Sequence, residues 1–191
     1  MIFNNLLIFT SLIAAAVVIT SRDWRVSIGG LAILYLLVFI LVIQIWPIAL
    51  ASVKLISGLM GISLISAARI NVEKSQLETP RSELFFRLLL SILVWLVLAA
   101  SAPTINEWLP ISYTNLYIGL SLISSGLLFS SLVRLPYEKI IGVLLLLIGF
   151  DVIYSSLEGS ALVTAVYALI TILISVLSGY FPDEVDYEGG I

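Results

Sequence analysis

The chain has 191 residues, is 61% hydrophobic and only 11% charged, and carries a formal net charge of -3. Soluble domains carry about 25% charged residues, so the composition excludes a water-soluble globule and makes lipid the solvent. With no cysteine and no histidine, the chain is also excluded from Cys/His zinc sites, iron–sulfur clusters, His-ligated haem, and Ser-His-Asp or Cys-His catalysis.

A spanning helix takes about 20 residues. The length therefore allows about seven spans and no separate soluble domain. The expected fold is all-α, a polytopic transmembrane helix bundle over residues 1–180, followed by an acidic mobile tail at 181–191.

The N-terminal run lacks a basic n-region, and its arginines follow the apolar stretch, so it reads as a retained span and not as a secretory signal. The first span covers residues 2–20 and the second 26–45, with the charged link Ser21–Arg25 between them. Trp46-Pro47 then interrupts an apolar run about twice the spanning length. Proline removes a backbone hydrogen bond and presses on the preceding turn, so a tight hairpin to a third span at 48–68 is expected. A single kinked helix, giving six spans, is the alternative.

The polar loop at residues 69–83 leads to a fourth span at 84–102. A second loop at 102–112 holds Pro103, Trp108 and Pro110. The fifth span covers 113–133, the sixth 136–158 and the seventh 161–180. All six prolines fall at predicted ends or loops, and Trp24, Trp46 and Trp108 fall at predicted interfaces, where aromatic anchors belong.

Seven spans put Arg22, Arg25, Arg69, Lys74, Arg81, Arg87, Arg134 and Lys139 on one side, and leave Lys54 nearer the other. The basic side is expected to be cytoplasmic, with the N-terminus outside and the tail inside. A bacterial inner membrane is the expected location.

Asp151 lies within the apolar run of the sixth span. A carboxylate at that depth is costly unless paired or facing water, which makes it a functional-site candidate. Asp151, Ser155 and Glu158 recur at i, i+4 and i+7 and share a helix face, with Tyr154 beside them. Gly142 and Gly149, seven apart, lie almost opposite and read as a close helix contact. The sixth span is expected to be buried on both faces.

Lys54 comes seven residues after Pro47, roughly 10 Å below the same surface as Asp151 by helix rise. Equal depth and opposite charge point to an ion pair, direct or bridged by water, with Gln44 placed to join it. Two other readings stay open. Lys54 snorkels to the headgroups while Asp151 is protonated, or a partner subunit supplies the counter-charge.

Ser57 with Gly61, Ser121 with Ser125, and the hydroxyl stripe from Ser160 through Thr164, Tyr167, Thr171 and Ser175 to Ser178 read as helix-packing faces. A water-wire lining is the sharper reading of that last stripe.

Gly126, Arg134 in a short basic turn, Ile141-Gly142 seven and eight residues later, and an acid further along the helix form a pattern over residues 113–180. In it the chain resembles the K-type small membrane subunit of respiratory complex I and the related E component of hydrogenase-4-type complexes. Two departures stand out. The family's acid on the middle helix comes where this chain has Leu144 to Leu147, and the seventh span lacks the family's second acid. The resemblance therefore implies a supporting role beside antiporter-like subunits, without a full proton relay.

The expected function is a small non-catalytic subunit of a larger membrane complex, ion-translocating complexes among the candidates, with the bilayer and other membrane subunits as partners. No cofactor, metal, nucleic acid or enzymatic reaction is expected. A stand-alone transporter or channel built on Lys54 and Asp151 is the alternative; no internal repeat supports it. A retinal protein is disfavoured because no aromatic cage around Lys54 is legible.

Overall fold

The computed structural model describes residues 2–21, 23–70 and 80–180. Among them are seven helices and no strand: α1 (Ile2–Thr20), α2 (Trp24–Val42), α3 (Ile48–Ile70), α4 (Arg81–Trp108), α5 (Tyr113–Leu132), α6 (Pro136–Leu157) and α7 (Ala161–Leu177). The first six are long and apolar enough to cross a membrane. At 17 residues α7 stands at the lower end of spanning length, about 17 to 25 residues. The chain is a multi-pass integral membrane protein. The acidic tail, most of the 69–83 loop, and the side chains of Arg22, Lys74 and Arg81 lie outside the described residues.

Local chemistry sets the helix boundaries. The Asp23 side chain caps α2 by accepting from the Arg25 amide at 3.1 Å. Ser112 caps α5 in the same way, accepting from Asn115 N–H. Pro136 opens α6, where its missing N–H costs nothing. α2 ends at Val42, and residues 43–46 form the turn into α3. The Pro47 carbonyl then accepts from Leu50 and Ala51. Spans two and three are thus separate helices, as a hairpin requires.

The region past Ala102 departs from expectation. Residues 102–108 continue α4, with Pro103 inside the helix. The stop comes at Pro110: Leu109, just before it, is extended at φ -113°, ψ 127°, the conformation a following proline imposes. α4 therefore runs about 42 Å, longer than the hydrocarbon core.

In lipid, close packing takes the place of the hydrophobic effect as the force between helices. The largest buried side chains, among them Leu31, Leu34, Leu122, Ile141, Leu144 and Ile148, fill the centre of the bundle, mainly from α2, α5 and α6. α5 and α6 form the tightest pair. Their contact is made through glycines at seven-residue spacing on both helices. Gly119 faces Gly149, and Gly126 faces Gly142, across an antiparallel seam. α6 is enclosed by α5, α2 and α7.

The α7 hydroxyl stripe faces inward: Thr164, Tyr167, Thr171 and Ser175 are its buried residues. Thr164, Thr171 and Ser175 each donate to their own helix's carbonyls, at 2.8 to 3.0 Å. Such hydroxyls are spent on the backbone, as packing hydroxyls are. Gly61 of α3 sits against Ser175, and the neighbouring Ser57 hydroxyl bonds the Lys54 carbonyl at 2.9 Å. Ser125 on α5 accepts from the Trp95 indole of α4 at 3.0 Å, while Ser121 is buried beside it on the same helix.

Candidate functional site

α3 and α6 bring Lys54 and Asp151 together. Nζ lies 2.5 Å from Oδ1, with the two side chains only 7% and 6% exposed. Both residues start from proline-marked helix ends, Pro47 and Pro136, which set their depth along the bundle. Seclusion strengthens the mutual attraction, because the effective dielectric is far below that of water. It also raises the desolvation cost of each charge, so neither is stable here alone.

Three aromatic side chains complete the site. The Trp46 indole lies under the ammonium, with Nζ 4.3 Å from the ring centroid. Its Nε1 donates to the Ser155 carbonyl at 2.8 Å. That carbonyl is in the last turn of α6, where no helical partner is left for it. Trp46 thus ties the α2–α3 turn to the end of α6 and covers the ion pair at the same time. The Tyr167 ring of α7 is 6.0 Å from Nζ, and its hydroxyl donates to the Leu147 carbonyl. Tyr35 of α2 borders a small cavity of about 10 Å³, shared with Lys54, Asp151 and the apolar side chains of Val38, Val42 and Ile148. The buried Tyr35 hydroxyl has no hydrogen-bond partner among the described residues.

The chain matches no known protein family, no curated protein and no solved structure.

The remaining expected site residues divide. Ser155 is buried, but its hydroxyl turns onto the Asp151 carbonyl at 2.6 Å and does not reach the carboxylate. Glu158 is exposed and has left the helix at φ -147°, ψ 135°. The helical register that aligned it with Asp151 ends at Leu157, so the polar strip is broken there. Tyr154 reaches Glu158 at 3.4 Å, away from the ion pair. Gln44 is a correction: it is exposed, and its amide folds back on the Ile40 carbonyl at 3.1 Å. α2 ends two residues before it, so the helical face that aimed it at the pair does not extend that far. Trp46 is a second correction: it is only 6% exposed and turned inward, not an anchor among headgroups.

Sequence reasoning missed all three aromatic partners. For Tyr35 a signal existed, since it is the sole polar side chain between Ser27 and Gln44. Tyr167 stood in the hydroxyl stripe, where it read as packing. The aromatic surroundings of Lys54 are thus present after all, but about 10 Å³ leaves no room for a chromophore. Among the described residues no three acidic or other metal-binding side chains cluster.

The double duty of Trp46 is testable. Trp46→Phe keeps a ring under Lys54 and removes the bond to Ser155. A buried carbonyl left unpaired costs about 1–3 kcal/mol. Thermal inactivation in detergent is expected to show that loss, whereas Trp108→Phe, at an 84% exposed side chain, is expected to leave stability unchanged.

Proposed function

We propose that the protein is a small, non-catalytic integral subunit that packs inside a larger membrane complex, in the manner the resemblance of residues 113–180 implies. The observation that carries this reading is the closure of the Lys54–Asp151 site. A solute carrier built on that pair needs a binding volume of a few hundred Å³ around it; here the charged pair borders about 10 Å³, and the Trp46 ring covers the ammonium. The pair acts as a tie between α3 and α6. Two glycines of the family-like motif, Gly126 and Gly142, meet at the α5–α6 seam, which supports α5 and α6 as a packing pair, while α7 packs chiefly against α3. The outward faces of α4 and α7 are apolar and available to lipid or to neighbouring subunits, among them ion-translocating ones.

Extraction from its own membranes in mild detergent, followed by native sizing, tests this reading. A stable assembly well above the 20.9 kDa of one chain is the expected result. A well-behaved monomer or homodimer overturns it.

The proposed orientation in the bacterial inner membrane has the N-terminus outside and the C-terminus in the cytoplasm, following the basic loops. Compartment reporters fused to the two termini are expected to give opposite answers, with activity of a cytoplasm-only reporter at the C-terminus.

A further inference from the structure

A second cavity lies at the end of the bundle that holds the α2–α3 turn. It measures about 350 Å³ and is lined by Asn4, Gln44, Ser112, Asn115 and Ser156 among other residues, with no charged side chain. Asn115 donates to Ser156 at 2.9 Å across its wall. A volume of this size, bordered by amides and hydroxyls at a helix-bundle end, has the size and lining of a vestibule for water.

The vestibule and the ion-pair cavity share two walls. On α2, Leu41 borders the first, while Val38 and Val42 border the second. On α6, Ser156 borders the first and Asp151 the second, five residues apart, or about 7.5 Å along the axis and about 140° around it. Leu41 on the first cavity and Val42 on the second are buried apolar side chains, as is Val152, which follows Asp151 on α6. Toward the opposite end the situation differs. From Asp151 back to Pro136, α6 runs about 22 Å, and Ile140, Ile141, Leu144, Leu145 and Ile148 along it are all buried. Along α6, water thus has the shorter approach to the pair from one end; toward the other, the buried hydroxyls of Ser57, Thr171 and Ser175 are spent on their own helix carbonyls.

The small cavity has the size for one water, roughly 10–15 Å³, and it offers the two to four polar partners that a buried water needs. Those partners are the unpaired Tyr35 hydroxyl, the Asp151 carboxylate and the remaining N–H groups of Lys54. We propose that this cavity is a one-water site joining Tyr35 to the Lys54–Asp151 pair, and that its water exchanges only with the vestibule, across a Leu41–Val42–Val152 collar. The inference stands apart from complex membership, because it concerns the isolated chain.

The absence of native cysteine makes the test direct. Single-cysteine variants Asn115→Cys, Ser156→Cys, Val38→Cys and Leu145→Cys are placed in sealed vesicles and exposed to a membrane-impermeant thiol reagent from each face in turn. Asn115→Cys and Ser156→Cys are expected to label from one face only, and Val38→Cys and Leu145→Cys from neither. Adding Leu41→Ala to Val38→Cys is expected to bring labelling from that same face. Infrared spectra in oxygen-16 and oxygen-18 water are expected to contain a buried-water O–H band that Tyr35→Phe removes, while the retained ring still packs on Gly58. Labelling of the vestibule positions from both faces or from neither overturns the one-sided route. An isotope-sensitive band unchanged in Tyr35→Phe overturns the water site.

Discussion

Asp151→Leu with Lys54 retained, and Lys54→Met with Asp151 retained, are each expected to destabilise the bundle by about 3–5 kcal/mol, because each leaves a buried charge without its partner. The double variant Lys54→Met/Asp151→Leu is expected to recover most of that loss. A buried ion pair gives little over apolar side chains of similar volume, since its attraction is offset by the desolvation of both ions. The coupling between the two sites is the quantity to measure, and residues in direct contact couple by about 0.5–3 kcal/mol or more. Of the single variants, Asp151→Leu is expected to be the milder. It leaves the ammonium over the Trp46 ring, 4.3 Å from the centroid, and a desolvated contact of that kind contributes about 2 kcal/mol. Lys54→Met leaves the carboxylate with no cation among the described residues within ion-pair distance. Reversible unfolding in mixed detergent, followed by circular dichroism, reads all three. Additive losses in the double variant would mean that the two side chains do not meet in the membrane.

What the sequence made legible follows from what periodicity and composition encode. Lys54 and Asp151 are visible because a charge in an apolar run is conspicuous, and their depth can be counted from Pro47 and Pro136 at a fixed rise per residue. Azimuth is harder, because it accumulates error wherever a helix ends early. α2 stops at Val42 and not at residue 45, so Gln44 leaves the face on which counting had placed it. The same failure removes Glu158 from the Asp151 face, because α6 stops at Leu157. Trp46 was illegible for a different reason. A tryptophan in a turn at bilayer depth has the same local signature whether it points to headgroups or into the bundle, and only the position of α6, a hundred residues away, decides. At Pro103 two prolines competed for one helix end, and the steric demand of Pro110 on Leu109 set it. Gly142 and Gly149 were readable as a close contact. Their partners Gly119 and Gly126 have the same spacing on α5, and the antiparallel α5–α6 turn brings the two sets into register.

Glycine-to-alanine substitution is expected to have opposite signs at different places in this bundle, and the glycine seam predicts which. Alanine gains about 1 kcal/mol over glycine from helix propensity alone. At Gly29 an added Cβ meets nothing within 4 Å, so Gly29→Ala is expected to stabilise by about that amount. At Gly149 the same atom would sit 2.6 Å from both the Gly119 carbonyl oxygen and the Ile123 amide nitrogen. At Gly142 it would sit 2.8 Å from the Ser130 amide nitrogen. These neighbours are backbone, with no rotamer to escape into, so the helices must separate and lose the packing that holds them together in lipid. Overpacking costs about 1–3 kcal/mol where side chains can adjust; against backbone the upper end applies. The net expectation for Gly142→Ala or Gly149→Ala is a loss of about 2 kcal/mol. Gly61 lies between these cases. Its close neighbour is the Ser175 hydroxyl, which can rotate away from its bond to the Thr171 carbonyl, so Gly61→Ala is expected to be near neutral. Survival of the folded peak in native sizing after graded heating ranks the four variants. If Gly149→Ala ranked with Gly29→Ala, the close approach of α5 and α6 would be wrong, and with it the position from which α6 presents Asp151 to Lys54.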